Sequence, residues 1–539
     1  MKAGCNLKLR MPHNNLEREQ FFAAPFFSEY GAFLLFLLIY VSINLLFLGK
    51  FPVVHSDESW LAGLTLEIMK TGNPAVTEPF FTIFPRHPHA IKILYHLTQI
   101  PFILTGGYNH ISVRVLSLAF GALTLFFFYR TLRARYSAAI SLAGAVLLAL
   151  NIQFIYSSHM ARQEAAILFF MTAAFCFGTR QGKKSFILQG LCIALATGFH
   201  PNSFIIFIPN LLILIYRILK KDVDRRMILY FMTPVILGAV FFVSLSFIFD
   251  PEFLRHYLSY GRSVGITADV TGRIGGLFRF YGKLFFRVSG TYYVPGQKIL
   301  WVIYGCIMLW AALRLLVSRR DRPPLLDEAL IALLGLHTGY LVIGKYSQPS
   351  VVFILPFLIM TFISLAGEHG RRPGIILSAA LGILFAVNSI LNVTPYLASD
   401  YRGYLDNIEA ALPGDGAVLV NLNAGYLFED REFYDYRNLA FLEDKGCDFA
   451  DFIGENGITA LVVPQELEFI YDNRPRWNII YGNIVPWYRQ MMEFIEKRCV
   501  LESEFAAPFY GMRITRYTGN RPWKVRVYRV KNQEIDIIS

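Results

Sequence analysis

The chain reads as an α-helical polytopic membrane protein with a small α/β domain at its C-terminal end. Three observations predict this. Of its 539 residues, 55% are hydrophobic and only 17% are charged, and 48 are Phe. So much apolar side chain suits a protein whose outer face is apolar as well as its core. Apolar runs long enough to approach a membrane span then recur along the first 394 residues. After about residue 394 the composition becomes that of an ordinary soluble domain.

Crossing hydrocarbon takes roughly 20 apolar residues in a helix. The runs 31–49, 111–130, 138–157, 165–179, 185–199, 203–219, 228–249, 299–317, 326–343, 351–366 and 374–393 are the candidates, about eleven in all. The stretch 91–105 is also apolar, but Lys92, His96 and Gln99 interrupt it, which predicts an interfacial helix. Run 31–49 is too long for a signal core and lacks a small-residue cleavage site, so it is expected to stay as an anchor.

The net charge of +12 could point to nucleic acid, but the cations sit in short tracts between apolar runs. Arg130, Arg133 and Arg135 fill one connector. Arg180, Lys183 and Lys184 fill another, and Lys220, Lys221, Arg225 and Arg226 a third. Arg319, Arg320 and Arg322, then Arg371 and Arg372, continue the series, while the alternate connectors hold only Arg162 and Lys345. Alternation of this kind is the positive-inside pattern. It places the N-terminus in the cytoplasm, and loops 50–110 and 250–298 and the C-terminal domain outside, in a plasma or bacterial inner membrane.

Within that domain, 395–539, the segments Ala417–Val420, 460–463 and 525–530 read as strands, and 406–412 and 487–497 as helices. Cys447 and Cys499 both fall there, and pairing or two free thiols are equally expected.

Chemistry concentrates on the predicted outward side. His55, His87, His89, His96, His110, His159, His200 and His256 all map to it, together with Asp57, Glu58, Glu67, Glu78, Arg86, Arg162 and Glu164. Any one of these histidines can simply snorkel at the interface. As a set they predict a polar cavity at headgroup level. The adjacent carboxylates Asp57 and Glu58 point in different directions, so one can act while the other supports. Asp57 could accept a proton, hold a divalent cation, or merely cap the amphipathic stretch 60–69. Arg162 and Glu164 open a span after an outward connector, where a helix N-terminus and a cation favour an anion such as phosphate. Their plainer reading is an interfacial ion pair.

His55, His87 and His89 are candidate ligands for a divalent metal. Neither a GxxxxGK[ST] run nor a GxGxxG after a strand is present, so no nucleotide cofactor is expected.

The run from Asp57 to Leu64, ending in Lys70-Thr71-Gly72-Asn73-Pro74, resembles the first-loop acidic motif of GT-C membrane glycosyltransferases. Protein O-mannosyltransferases and lipid A aminoarabinose transferases are the nearest in pattern. The resemblance continues through Phe84-Pro85-Arg86-His87-Pro88, Ile111-Ser112-Val113-Arg114 and His159-Met160-Ala161-Arg162-Gln163-Glu164. It implies a GT-C-like fold and a polyprenyl-phosphate sugar donor, with Asp57, Glu58 and Glu164 as the catalytic acidic residues. By the same resemblance Arg162, Arg86 and His87 bind the donor phosphate. Aminoarabinose transferases have a Glu-Lys-Pro-Pro-like stretch where this chain has Arg86-His87-Pro88-His89, so the lysine that would grip the phosphate is absent there.

The function expected is transfer of a hexosyl or pentosyl group to a hydroxyl on a glycan, lipid or protein, with inversion. Two other readings compete. An O-antigen-type ligase or polymerase would place its key residues in loop 250–298. A lipid or sugar transporter or flippase would show midplane charges, which the spans lack.

Overall fold

A computed structural model describes residues 25–263, 269–288, 290–317, 322–344 and 346–531, with the side chains of 25–29, 260–263, 478 and 479 excepted. Arg319, Arg320 and Lys345 of the connector pattern lie outside the described residues. All eleven apolar runs are helical. In chain order the first sixteen helices are α1 Pro25–Phe47, α2 Ser56–Thr71, α3 Ile93–Gly106, α4 His110–Arg133, α5 Ala138–Leu150 and α6 Ile152–His159; then α7 Glu164–Gly178, α8 Lys183–Phe199, α9 Phe204–Leu219, α10 Met227–Phe249 and α11 Phe253–Ser263; then α12 Val270–Phe285, α13 Lys298–Val317, α14 Leu326–Ile343, α15 Leu355–Glu368 and α16 Arg371–Val393.

Length corrects the expected count. Among the described residues eight helices are long and apolar enough to span, or nine if α5 and α6 form one bent span. Those two meet at 66°, where Asn151 caps α6 by accepting the Gln153 N–H at 3.0 Å. The run 165–179 becomes α7, only 15 residues, and α8 has 17. At 1.5 Å per residue both fall short of a 30 Å core.

Burial separates the lipid-facing helices from the central ones. The α15 span is 94% buried, whereas the α10 span is 11% buried and exposes Leu229, Ile236, Leu237, Val240 and Phe241. Small residues set the closest crossings, as expected where lipid supplies no hydrophobic drive between helices. A Cβ on Gly190 of α8 would stand 2.1 Å from the Phe231 carbonyl of α10, and one on Gly335 of α14 would stand 2.5 Å from Pro209 Cα in α9.

After α16 the chain turns through the helix α17 Tyr401–Glu409 into a five-stranded sheet. Its strands are β1 Ala417–Val420, β2 Phe433–Asp435, β3 Ile458–Pro464, β4 Cys499–Ala506 and β5 Lys524–Val530. Their order is β2-β1-β3-β5-β4, with β2, β1 and β3 parallel and β5 antiparallel to both β3 and β4. The three predicted strands are β1, β3 and β5. The expected helix 487–497 is Val485–Arg498, and 406–412 shifts forward to α17.

Strand β4 had no apolar alternation to reveal it. This edge strand is held by ion pairs to β5 through Glu502–Arg529 and Glu504–Arg526, a charged edge that also discourages pairing with other chains. Cys447 and Cys499 are both free thiols.

The sheet domain is pinned onto the loops that follow α1. Asn438 Oδ1 accepts the N–H groups of Thr82, Ile83 and Phe84, and its Nδ2 donates to Phe80 O at 2.9 Å. Ser59 donates to the Leu422 carbonyl, and Lys50 to Ser399 O at 2.6 Å.

Candidate active site

Helix α2 fixes the first carboxylate. Its N-cap is His55, whose Nδ1 accepts the Asp57 N–H at 3.0 Å, while Glu58 Oε1 accepts the His55 N–H at 2.8 Å. The expected cap, Asp57, is instead inside the first turn. Its side chain is thereby free of the backbone and turns toward the break between α6 and α7.

That break carries Arg162. Its Nη1 donates to Asp57 Oδ2 at 2.7 Å, and its Nη2 lies 3.2 Å from Glu164 Oε1. Tyr292, from loop 250–298, completes the junction. Its hydroxyl donates to Asp57 Oδ2 at 2.7 Å and accepts from Arg162, whose guanidinium lies 4.9 Å from the Tyr292 ring centroid. The His55 ring stacks on the same tyrosine at 4.7 Å.

Burial alone would raise the Asp57 pKa. His55, Arg162 and the Tyr292 hydroxyl outweigh it and hold the carboxyl below its ordinary value. Burial, helped by Arg513 and Arg162 against Asp57, lowers His55 to about 4, so His55 is neutral at physiological pH.

Asp57 and Arg162 line a cavity of about 380 Å³ that also takes in Trp60, Arg86, His87, His89, Lys92, His200 and His256. Four of the eight outward-mapped histidines therefore converge there. His96 and His159 do not: His96 Nδ1 meets Thr65 Oγ1 at 2.8 Å, and His159 is held between Phe51 O and Asn44 Oδ1, each at 2.8 Å.

A second cavity of about 470 Å³ lies across the junction and shares Arg162, His200, Asn202 and Tyr292 with the first. Its other walls include Lys283, Tyr346, Gln348, Trp477 and Arg516.

The remaining expected residues divide sharply. Glu58 lines neither cavity and is wholly buried; its two oxygens accept from Arg114 Nε and Nη2, both at 2.7 Å, and from the N–H groups of His55 and Ala161. Glu164 is buried behind Arg162. Arg86 faces the first cavity but is committed to buried Glu78, donating from Nε at 3.0 Å and Nη2 at 2.9 Å.

The metal set expected from His55, His87 and His89 does not assemble. His55 faces a separate small hollow beside Arg513, and among the described residues only His87, Asp250 and His256 gather ligand atoms within 4.8 Å of one another.

Three positions in and around this cluster escaped the sequence reading. Tyr292 looked like any interfacial aromatic. Lys92 looked like a flaw in an apolar stretch, yet it lines the first cavity, 3.3 Å from Glu78. Arg513, from the C-terminal domain, donates to Ser56 Oγ at 2.7 Å, and the nearby Thr515 Oγ1 donates to Tyr292 O at 2.8 Å. No local signal marked either of the last two.

Residues 91–257 match the family described as dolichyl-phosphate-mannose-protein mannosyltransferase. No curated protein matches the chain by sequence. Among solved structures the chain is similar to ArnT from Cupriavidus metallidurans bound to undecaprenyl phosphate, with 13% identity and a TM-score of 0.58, over 93% of this chain and 99% of that one. It is more distantly similar to the oligosaccharyltransferase AglB from Archaeoglobus fulgidus, with 12% identity and a TM-score of 0.45, over 84% and 71% of the two chains. The break that presents Arg162 lies inside the matched region. Its apolar helices and this likeness are those of a multi-pass membrane protein: the chain shares its fold with ArnT, and over residues 91–257 it is similar to the dolichyl-phosphate-mannose-protein mannosyltransferase family.

Proposed function

We propose that the protein transfers a sugar from a polyprenyl-phosphate carrier to an acceptor hydroxyl, with Asp57 as general base and Arg162 as the principal cation on the phosphate. One observation carries this reading. A carboxylate and a buried guanidinium, 2.7 Å apart, sit where two cavities meet. A two-substrate transfer needs such a junction.

Without substrate, Asp57 is a weak base because Arg162 and Tyr292 satisfy it. A donor phosphate entering the first cavity competes for Arg162, and the aspartate regains basicity when the reaction needs it. Phosphate leaves readily from an anomeric carbon, so the protein's main tasks are to align the acceptor, take its proton and stabilise the departing anion. One displacement of this kind inverts the anomeric centre. Lys92, on the same cavity wall, takes the place of the lysine missing at 86–89, and Arg86 adds a second fixed positive charge. Glu58 and Glu164 act at one remove: Glu58 anchors α2, and Glu164 aims the Arg162 guanidinium. The alternating basic tracts support an extracytoplasmic site.

The test is mass spectrometry of lipid-linked sugars and envelope glycans from cells with and without the gene, complemented by the wild type or Asp57→Asn. Loss of a positioned base lowers transfer by about 10²–10⁴-fold. A polyprenyl-phosphate sugar should therefore accumulate in both the deletion and the Asn strain. Normal glycans from correctly inserted Asp57→Asn protein would refute the mechanism. Accumulation of a soluble solute with no missing glycosyl group would refute the reaction class.

A further inference from the structure

Three side chains on the first cavity's wall turn their donors toward one carboxylate that the cavity does not reach. Glu78 lies in the loop between α2 and α3 and is only 2% exposed. Its Oε1 accepts from Trp60 Nε1 at 2.7 Å, Arg86 Nη2 at 2.9 Å and Lys92 Nζ at 3.3 Å, and its Oε2 accepts from Arg86 Nε at 3.0 Å. The Arg86 guanidinium also lies 5.1 Å from the Trp60 ring centroid. Trp60, Arg86 and Lys92 all line the cavity, whereas Glu78 does not. Burial alone would raise the Glu78 pKa, but Lys92 and Arg86 outweigh it and hold the carboxyl well below its ordinary value, so it is ionised. A ligand in the cavity therefore meets two fixed cations whose joint charge is cut back by an anion that it cannot touch.

The reaction changes the charge that this wall has to hold. In a polyprenyl-phosphate sugar the phosphate is a diester and carries one negative charge. When the bond from the anomeric carbon to the phosphate oxygen breaks, the oxygen keeps the electron pair and the carrier becomes a monoester. At neutral pH a monoester carries about −1.5 to −2. A purely cationic wall would grip the spent carrier more tightly than the donor it came from, and would slow its exchange for the next donor. A stationary carboxylate beside the cations acts in the opposite sense, because it repels the monoester more than the diester.

We infer that Glu78 is a positioning residue with two effects: it holds Arg86, Lys92 and Trp60 in place on the cavity wall, and it keeps their joint charge low enough for the spent carrier to leave. The inference rests on the donor phosphate occupying the first cavity. At an effective dielectric of about 20, two unit charges about 10 Å apart interact by roughly a factor of ten in affinity. Removing the Glu78 charge should therefore tighten a diester by about tenfold and a monoester by about 30–100-fold. Loss of positioning alone acts the other way, since a wall of misplaced cations binds both less well.

Carrier binding is measured directly, whatever sugar the protein transfers. Full-length wild type and Glu78→Gln in detergent are titrated calorimetrically with undecaprenyl phosphate, its methyl diester and undecaprenol. The affinity ratio of monoester to diester should rise about 3–10-fold in Glu78→Gln, with undecaprenol unaffected. Glu78→Asp, which keeps the charge, should stay at the wild-type ratio. If Glu78→Gln folds poorly, the same charge is removed by comparing Lys92→Gln with the double variant Glu78→Gln/Lys92→Gln, which loses one charge of each sign, and the ratio should rise by the same factor. A ratio that stays constant or falls when the Glu78 charge is removed would overturn the inference while leaving the donor site in place. Wild-type protein that binds undecaprenol as tightly as undecaprenyl phosphate would overturn the donor reading as well.

Discussion

Replacing Glu58 by Gln changes one charge in a fully enclosed set of contacts, and its cost follows from the bonding pattern. Oε1 accepts from His55 N–H and Arg114 Nη2, and Oε2 from Ala161 N–H and Arg114 Nε. Whichever oxygen becomes the amide nitrogen, two buried donors lose their acceptor and a third N–H group faces them. Unsatisfied buried groups cost about 1–3 kcal/mol each. The Arg114 guanidinium, also fully buried, loses its counter-charge. Breaking a buried pair from one side typically costs about 3–5 kcal/mol, and both routes give the same scale.

Unfolding of the purified protein by SDS titration in mixed micelles, followed by Trp fluorescence, should therefore show a loss of about 3–5 kcal/mol for Glu58→Gln. Arg114→Gln should lose a similar amount. The double variant should lose less than the sum, because no unpaired charge remains. Protein that stays folded should retain transfer activity and its pH profile. A Glu58→Gln variant that unfolds like the wild type but has lost turnover would refute this reasoning and make Glu58 a catalytic group.

Three further outcomes are expected. Arg513→Ala unlatches Ser56 and so loosens the first turn of α2; a lost charged hydrogen bond of about 1.5–3 kcal/mol corresponds to a roughly 10–100-fold fall in kcat, with undecaprenyl-phosphate binding retained and Arg513→Lys partly restoring turnover. Equal activity of both variants would exclude a positioning role. His55 is lowered to about 4 when folded, so the unfolded chain binds more protons between pH 6.5 and 4, and stability falls as pH drops through that window. The contribution is on the order of 3 kcal/mol, and it should vanish in His55→Asn, which can still cap α2; an unchanged pH dependence in that variant would count against it. Lys283→Ala or Trp477→Ala in the second cavity should raise KM for the acceptor while donor binding stays constant, and a change in donor binding alone would exchange the roles assigned to the two cavities.

The membrane class, the helical character of the eleven apolar runs and three of the five strands were legible because each is written in near neighbours. A helix or strand declares its period within ten residues or so. Two strands were not legible: β2 is three residues long, and β4 is an edge strand whose charges face β5 and solvent. The bend at Asn151 and the short α7 and α8 escaped for a related reason. Apolar composition shows that a segment avoids water, but not where its helix ends.

The site divides along the same line. The sequence by itself marked Asp57 and Arg162, because a charge at a membrane exit needs a partner or a substrate wherever it occurs. It could not separate Asp57 from Glu58, which share one local signature. Tertiary packing separated them by sealing Glu58 against Arg114, 56 residues away, and opening Asp57 to a cavity. Tyr292 meets Asp57 across 235 residues of chain, and Arg513 meets Ser56 across 457. No local pattern encodes such meetings. They depend on where loops close and what covers them, and that closure decides which charges are paired and which remain open to a ligand.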